Sequence, residues 1–227
     1  MSGQKIAVIG GTGDLGLGLA LRWVAAGMHV HIGSRDKAKA EAAAQRVREA
    51  VKAGESADVS VTGLENPQAA AQASIVVLAV PFSAQAAILK SINGSLQGAI
   101  LVDTTVPLAA TVGGKASRML GVWQGSAAAQ ARELTPAGTP VISAFHNVSA
   151  EVLQDLSATP DCDILVCGDD ENAKRTFFPL VKLIPGLRPV DAGPLEMSRI
   201  VESVTALLIS LNVRHKLHHS GIRITGL

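Results

Sequence analysis

Tyrosine is absent from this chain of 227 residues, and Phe and Trp bring the aromatic content to only 3%. The missing phenol excludes carbonyl reductases of the Ser-Tyr-Lys type, which use tyrosine as the proton donor. Only two cysteines occur, Cys162 and Cys167, in or beside an apolar run typical of a strand. We therefore expect buried free thiols rather than a disulfide, and no Cys/His spacing predicts a metal site.

Excess charge and long apolar runs are missing as well. The formal net charge is +1 without a long basic run, which argues against nucleic-acid binding. No apolar run reaches the ~20 residues of a membrane span, and the start of the chain lacks the pattern of a signal peptide. Hydrophobic residues make up 48% of the chain, enough for a substantial core. We expect a cytoplasmic protein whose partners are small molecules, with neither nucleic acid nor membrane.

A glycine-rich turn follows the first apolar run of the chain. Residues 6–9 are apolar, the turn reads Gly10-Gly11-Thr12-Gly13-Asp14-Leu15-Gly16, and an apolar-periodic segment covers residues 15–26. Counted from Gly11, the spacing is G-x-G-x-x-G. Glycines at these places let the backbone turn sharply and approach a pyrophosphate at a helix N-terminus. Because a predicted strand precedes the motif and a predicted helix follows it, the motif predicts a dinucleotide site.

The end of the second predicted strand indicates which dinucleotide binds. An enzyme that uses NAD usually carries Asp or Glu there, to accept a hydrogen bond from the ribose 2′-OH. This chain has Ser34 and Arg35 instead, and Lys39 follows in the next helix. A guanidinium matches a 2′-phosphate, which a carboxylate would repel. We interpret Ser34, Arg35 and Lys39 as a 2′-phosphate clamp and the cofactor as NADP(H); the alternative is that Arg35 and Lys39 are solvated surface charges.

Strand and helix patterns alternate along the chain. Strands are predicted at 5–9, 29–33, 58–62, 75–80, 99–103, 140–145, 163–168 and 187–191. Helices are predicted at 14–26, 36–53, 67–73, 83–93, about 124–134, 170–184 and 195–217. This alternation predicts an α/β fold, a Rossmann-type doubly wound and mostly parallel sheet with a small C-terminal helical extension. We expect an NADP-binding domain at 1–192 and a helical segment at 193–227 that contributes to the substrate cleft and to a dimer contact.

Ligands of such sheets bind at the carboxyl ends of the strands. Val80, Pro81 and Phe82 end the fourth predicted strand, and Phe82 is either a contact of the nicotinamide ribose or a core aromatic. His146 follows the sixth strand. It either acts on the substrate, as a hydrogen-bond donor or general acid, or has only a structural role in orienting its loop. For Asp103, Thr104 and Thr105 we favour a structural capping role. The Gly-rich stretch 107–125 is expected to form a long loop over the edge of the site.

The end of the chain combines an apolar stripe with basic residues. Because the stripe is wide enough for two contact surfaces, it predicts a homodimer. It consists of Ile200, Val201, Val204, Leu207, Leu208 and Leu211. The basic residues either complement the negative end of the helix dipole or form a docking surface for an anionic ligand tail. They are Arg214, His215, Lys216, His218, His219 and Arg223.

Several segments together resemble the reduced coenzyme F420:NADP oxidoreductase family. They are residues 9–16, Gly33-Ser34-Arg35 with Lys39, Val106-Pro107, residues 143–147, residues 191–196 and residues 221–225. The resemblance extends over essentially the whole chain and is weakest at 108–126. The glycine loop alone is common to many families, whereas its combination with the later segments is far more specific. The resemblance implies hydride transfer between NADP(H) and the 5-deazaflavin coenzyme F420.

The resemblance also implies roles for individual residues, with no obligatory catalytic side chain. The pyrophosphate loop would comprise Gly10, Gly11, Thr12, Gly13, Asp14 and Leu15. The 2′-phosphate would contact Ser34, Arg35 and Lys39. The ribose and nicotinamide would lie against Val80, Pro81, Phe82, Ala86 and Ala150. The deazaflavin would be bordered by His146, Asn147, Val148 and Ser149.

Two other functions remain open at the level of the sequence. One is an NADPH-dependent imine or keto-acid reductase of the pyrroline-5-carboxylate reductase type, and the other is a non-catalytic NADP(H)-sensing protein. Only ~35 residues follow the predicted dinucleotide domain, fewer than a separate catalytic domain usually needs. A flat hydride carrier can instead stack on the nicotinamide in an open cleft, where the protein supplies orientation.

Overall fold

A computed structural model describes residues 4–52 and 60–227. Eight strands form one sheet in the order β3-β2-β1-β4-β5-β6-β7-β8. They are β1 (Lys5–Ile9), β2 (His29–Ser34), β3 (Val61–Glu65), β4 (Ile75–Leu78), β5 (Ile100–Asp103), β6 (Val141–Ser143), β7 (Cys162–Gly168) and β8 (Leu187–Asp191). Paired strands are parallel except β6 and β7, which are antiparallel. The predicted Rossmann-type, mostly parallel sheet is confirmed.

Helices cover both faces of this sheet. They are α1 (Asp14–Ala25), α2 (Lys37–Lys52), α3 (Asn66–Ala71), α4 (Phe82–Ile92), α5 (Ala127–Leu134), α6 (Ala150–Gln154), α7 (Glu171–Lys182) and α8 (Ser198–His215). Short 3₁₀ turns lie at Asn93–Ser95, Ala109–Val112 and Leu195–Met197. No helix in residues 4–52 and 60–227 has both the length and the hydropathy needed to cross a membrane.

The central strand β1 shows why both faces need a cover. All its residues from Ile6 to Ile9 are fully buried. Ile6 and Val8 belong to the core cluster under α1, α2 and α7, whereas Ala7 and Ile9 belong to the cluster under α3, α4 and α5. A strand that is apolar on both faces is typical of a parallel sheet between two helical layers.

Several predicted boundaries were wrong at the strand ends. The fourth and sixth strands were predicted to end at residues 80 and 145, but β4 ends at Leu78 and β6 at Ser143. The proline at position 81 limits β4, and Phe145 has a left-handed φ of 63° that turns the chain out of the sheet after β6. The strand predicted at 58–62 is β3 at Val61–Glu65, and residues 58 and 59 lie outside the described part of the chain.

The helices predicted in the C-terminal half also differ in their bounds. The segment predicted as a helix at 195–217 is a 3₁₀ turn followed by α8, which ends where Lys216 adopts a left-handed φ of 53°. The helix predicted at 124–134 begins at Ala127, because the Ser126 hydroxyl accepts a hydrogen bond from Ala129 N and caps it. The five-residue helix α6 was missed, since it is too short for an apolar period to show.

The tail after α8 returns to β7 and β8. The buried Asp163 carboxylate accepts hydrogen bonds from Arg188 and Arg223 and from Ile224 N. Its backbone N–H donates to Ile222 O at 2.7 Å. The bonds from Arg188 hold the pKa of the Asp163 carboxyl well below its usual range, against the effect of burial. Arg223 is therefore a structural anchor rather than part of an anion-docking surface.

Candidate active site

The candidate site lies where the strand order reverses between β1 and β4, at the carboxyl ends of the strands. Doubly wound sheets bind their ligands in the crevice at this switch point. Two cavities open there, one of about 250 Å³ toward β2 and one of about 490 Å³ toward β5 and β6. Gly13, Ala79, Val80 and Pro81 line both cavities, so a single extended ligand can occupy them together.

The glycine loop provides a close backbone approach between β1 and α1. Gly10 has a left-handed φ of 82°, and a Cβ there would lie 2.5 Å from Ala79 O. A Cβ on Gly16 would lie 2.7 Å from Gly10 O, so this glycine lets α1 pack against the loop. Gly11 is buried against Val8 and lines neither cavity.

The N-terminus of α1 is open toward the larger cavity. Its N-cap residue is Gly13, which has no side chain to accept from the first-turn N–H groups. Such free N–H groups, at the positive end of the helix dipole, bind phosphate oxygens. Thr12 lines the smaller cavity, and Asp14 and Leu15 line the larger one.

The three residues of the predicted 2′-phosphate clamp meet in the smaller cavity. Ser34, Arg35 and Lys39 all line it. Arg35 and Lys39 are exposed, and neither forms an ion pair with another described residue, in contrast to Lys37, which pairs with Glu41 at 3.7 Å. Two unpaired cations in one cavity can bind the oxygens of a phosphate monoester through charge-assisted hydrogen bonds.

Asp36 is a residue of this cavity that the sequence analysis missed. Its Oδ1 accepts hydrogen bonds from Ala38 N at 2.9 Å and Lys39 N at 3.3 Å, and so caps α2. Two of the N-terminal N–H groups of α2 are thus already occupied, and a phosphate in the cavity depends mainly on the side chains of the clamp. An Asp directly before a helix is a recognisable capping signal.

The larger cavity brings together most of the residues predicted to line the nicotinamide. Val80, Pro81, Phe82 and Ala150 form part of its wall. Ala86 does not: it lies on the exposed face of α4, and Ala84 and Ile88 of that helix face the smaller cavity instead. The predicted loop after β5 contributes to the edge of the cavity as expected. The wall residues that were not assigned a ligand role are Ala79, Thr104, Thr105, Val106, Leu108, Ala110, Thr111, Phe145 and Thr205.

His146 is enclosed by protein at the end of this cavity. It is 5% exposed, and neither ring nitrogen has a hydrogen-bond partner among the described residues. Burial lowers the pKa of the His146 imidazole to about 4. The ring is therefore neutral near pH 7, where it can donate one hydrogen bond and accept another but is not a charged acid. Its carbonyl accepts from the Thr205 hydroxyl at 2.5 Å, which joins this loop to α8.

Two further cavities, of about 310 Å³ and 160 Å³, lie beside the C-terminal tail. Asn147 and Ser149 line both of them. Val148 lines both as well, and it also lines the larger cavity. The Asn147 amide nitrogen donates to Asp163 O at 2.7 Å, whereas its buried Oδ1 has no partner among the described residues. His219 lines both of these cavities. The segment predicted to border the deazaflavin thus lies between the larger cavity and the tail.

A buried polar network lies beneath the larger cavity and was missed by the sequence analysis. The Gln85 amide donates to Asp103 Oδ2 at 2.5 Å and to Thr105 Oγ1 at 2.7 Å. Asp103 Oδ1 accepts from Thr105 N at 2.6 Å, which fixes the turn after β5. Burial raises the pKa of the Asp103 carboxyl to about 6. The structural role that we favoured for Asp103 agrees with these contacts.

Glu202 joins α8 to this network. Its two carboxylate oxygens accept from Ala127 N at 2.9 Å and Ala128 N at 3.0 Å, the first N–H groups of α5. Burial, with a smaller contribution from Asp103, raises the pKa of Glu202 to about 8. The contact docks α8 against the N-terminus of α5.

The chain is similar to known proteins along its whole length. Residues 5–107 match the family model "NADP oxidoreductase coenzyme F420-dependent". An F420-dependent NADP reductase of Methanothermobacter thermautotrophicus is 49% identical over 99% of this chain and 96% of its own. A crystal structure from Arthrobacter sp. FB24, assigned as an F420-dependent NADP-reductase, superposes with a TM-score of 0.81 at 26% identity, covering 98% of this chain and 100% of its own.

A second group of solved structures shares the fold alone. Pyrroline carboxylate reductase of Plasmodium falciparum, solved with NADP bound, has a TM-score of 0.55 at 13% identity, over 96% of this chain and 72% of its own. The near-complete coverage at 49% identity is decisive for the family. With its glycine loop, its cationic cavity and this similarity, the chain belongs to the family of F420-dependent NADP reductases.

Proposed function

We propose that this protein catalyses reversible hydride transfer between NADP(H) and coenzyme F420. The hydride moves between C4 of the nicotinamide and C5 of the deazaflavin, and a solvent proton balances the charge on the deazaflavin. The observation that carries the proposal is the cavity of about 490 Å³ that continues directly from the glycine loop. Its volume falls in the range of sites that bury a ligand of ring size.

The phosphate contacts support NADP(H) as the nucleotide. The open N-terminus of α1 binds the pyrophosphate through backbone N–H groups such as that of Asp14, because the Gly13 N–H already donates to Gly10 O. Ser34, Arg35 and Lys39 bind the 2′-phosphate through their side chains. The fit favours the phosphorylated cofactor, because Asp36, the only carboxylate among the described residues that line this cavity, is engaged in capping α2.

The wall of the larger cavity supports a flat hydride acceptor. Val80, Pro81, Phe82 and Ala150 offer apolar surface to the ribose and the nicotinamide. Hydride transfer needs orientation of the two carbons at about 3–3.5 Å and no protein acid. This requirement agrees with the neutral state of His146.

Unpartnered polar atoms support placing the polar edge of the deazaflavin at residues 146–149. His146 and Asn147 hold buried nitrogen and oxygen atoms without partners among the described residues. Buried polar groups normally have hydrogen-bond partners. The lack of partners at these atoms fits a ligand that brings donors and acceptors of its own. We assign His146, Asn147, Val148 and Ser149 to the deazaflavin contact.

We further propose that the protein is a homodimer through α8. Val201 and Leu208 of this helix are buried against the chain, whereas Ile200 and Leu207 on its outer side are 54% and 53% exposed. Two such outward faces cover each other when helices of two copies pack together. In this arrangement residues 193–227 supply both the dimer contact and part of the cleft wall.

We also propose a cytoplasmic location. Both cysteines are buried free thiols, which supports it.

The reaction is tested by mixing the protein, NADPH and oxidised F420 and following the visible absorbance of the deazaflavin. We expect the absorbance to disappear at a rate proportional to protein concentration. Parallel reactions replace F420 with a cyclic imine or a keto acid. Reduction of an imine without reduction of F420 would favour the pyrroline-carboxylate type of activity, and NADPH binding without any turnover would favour a sensor.

A further inference from the structure

Arg22 is a buried cation in the middle of α1, and it is bonded to backbone rather than to a carboxylate. Only 6% of this residue is exposed. Its Nε donates to Leu153 O at 2.9 Å, and its Nη2 donates to Val152 O and Ala158 O, each at 2.7 Å. Nη2 also contacts Asp155 O. One guanidinium therefore binds four carbonyls of a segment more than a hundred residues away in sequence.

Those carbonyls belong to the end of α6 and to the turn that follows it. The last carbonyls of a helix have no partner within the helix and form the negative end of its dipole. A helix of five residues has little stability of its own. The Arg22 side chain supplies both the hydrogen bonds and the positive charge that this short helix requires.

The other end of α6 forms the wall of the candidate site. Its first residue, Ala150, lines the larger cavity, and so does Val148, two residues earlier. Arg22 itself lines none of the cavities at the site. An effect of its side chain on a ligand is consequently indirect, and its hydrogen bonds lead to α6 and the turn after it.

Two further contacts join α6 to α1. The Gln154 amide donates to Asp14 O in the first turn of α1 at 3.0 Å. A Cβ on Gly18 would lie 2.7 Å from Leu153 Cβ, so the two helices cross too closely for a larger residue at position 18. These contacts join α1, which binds the pyrophosphate in the proposed function, to the wall Val148–Ala150, which faces the deazaflavin. The two parts thus form one unit.

We propose that Arg22 is a positioning residue for hydride transfer, which fixes the wall Val148–Ala150 relative to the phosphate-binding helix α1. The role rests on the proposed function. Because the nucleotide is anchored on α1, a displacement of α6 changes the separation of the two rings without changing the phosphate contacts. A misplacement of about 1 Å can cost a hundredfold in rate.

The test compares Arg22→Met with Lys174→Met. Lys174 is 3% exposed and pairs with Asp191 at 2.8 Å and Glu171 at 2.7 Å, away from the site. Both variants lose a buried cation, so both should have a lower Tm. Only Arg22→Met should lose kcat, by about 10- to 100-fold, with the Kd for NADPH within about twofold of the wild type. Arg22→Lys should recover part of kcat, because an ammonium has three donors for the carbonyls.

Hydrogen exchange of the free protein provides a readout that is independent of activity. Amides of residues 150–158 should exchange faster in Arg22→Met and at the wild-type rate in Lys174→Met. Equal kcat values for the two variants at matched folded fractions, or unchanged exchange at 150–158, would overturn the proposal.

If Arg22→Met does not fold, Gly18→Ala tests the same unit. The added Cβ pushes Leu153 away, so kcat should fall while NADPH affinity is retained, and an unchanged kcat would overturn the proposal. A wild-type protein that does not reduce F420 would instead reject the proposed function, which separates the two failures.

Discussion

Arg35→Ala should weaken the binding of NADPH much more than that of NADH. Arg35 lines the smaller cavity, the proposed 2′-phosphate site, and has no ion-pair partner among the described residues, so its charge is free for the ligand. A charge-assisted hydrogen bond contributes about 1.5–3 kcal/mol. Because Arg35 is exposed, solvent screening keeps the loss near the lower end, about tenfold in Kd. NADH has no 2′-phosphate, and its Kd should change by less than about twofold.

The measurement is a titration of NADPH and NADH fluorescence at low and moderate ionic strength. The difference between Arg35→Ala and wild type should shrink as salt is raised, since the Debye length falls to about 10 Å at 0.1 M. Lys37→Ala is the matched control: this lysine is two residues away, exposed and paired with Glu41, and it does not line the cavity. An equal loss for both nucleotides, or the same selective loss in Lys37→Ala, would refute the clamp.

Three further substitutions test other parts of the account. Asp36→Asn keeps the cap of α2 but removes a negative charge beside the 2′-phosphate, so NADPH should bind about threefold more tightly in the fluorescence titration; weaker binding would contradict this. Asp163→Asn should lower the unfolding free energy by about 1.5–3 kcal/mol near pH 7, because the buried carboxylate loses its charge-assisted hydrogen bonds while Arg188 and Arg223 stay partly exposed and Arg223 keeps Asp161. The lowered pKa of Asp163 stabilises the folded state above the usual value of 3.8, and this contribution is lost as the pH falls through the folded-state pKa. Urea unfolding should therefore show the variant and the wild type converging at acid pH, and a constant difference would exclude the ion pairs as the cause. Leu207→Glu should convert the dimer to a monomer in light scattering without changing NADPH affinity, whereas a monomeric wild type would remove the dimer proposal.

The residues of the smaller cavity could be grouped together from the sequence because the signals that identify them are local. The glycine spacing between a strand and a helix fixes the turn, and Ser34-Arg35 fixes the residues at the end of β2. These features depend on neighbours within a few positions of the chain. The structure accordingly brings Ser34, Arg35 and Lys39 into one cavity.

The residues that were missed act over long sequence separations. Arg22 bonds to carbonyls about 130 positions away, and Gln85 connects Asp103 with α5. No periodicity or spacing reports such a contact. Glu202 did leave a signal, because it is a carboxylate next to Val201 in an otherwise apolar stripe of α8. A buried charge of this kind requires donors, which the N-terminus of α5 provides.

Boundary errors followed from backbone geometry that the residue types do not reveal. Phe145 is an apolar residue in an apolar run, so the pattern extends the sixth strand to it. Its left-handed conformation ends the strand instead and leads the chain to His146. Non-glycine residues in this region are strained and often occur at functional sites.

Direct hydride transfer is tested most directly with NADPH that carries deuterium at one of the two C4 positions. We expect the label from one of the two stereoisomers to be recovered at C5 of the reduced F420, and the label from the other to stay on NADP⁺. Recovery of the deuterium in water, or reduction of an imine or keto acid while F420 stays oxidised, would contradict the assignment.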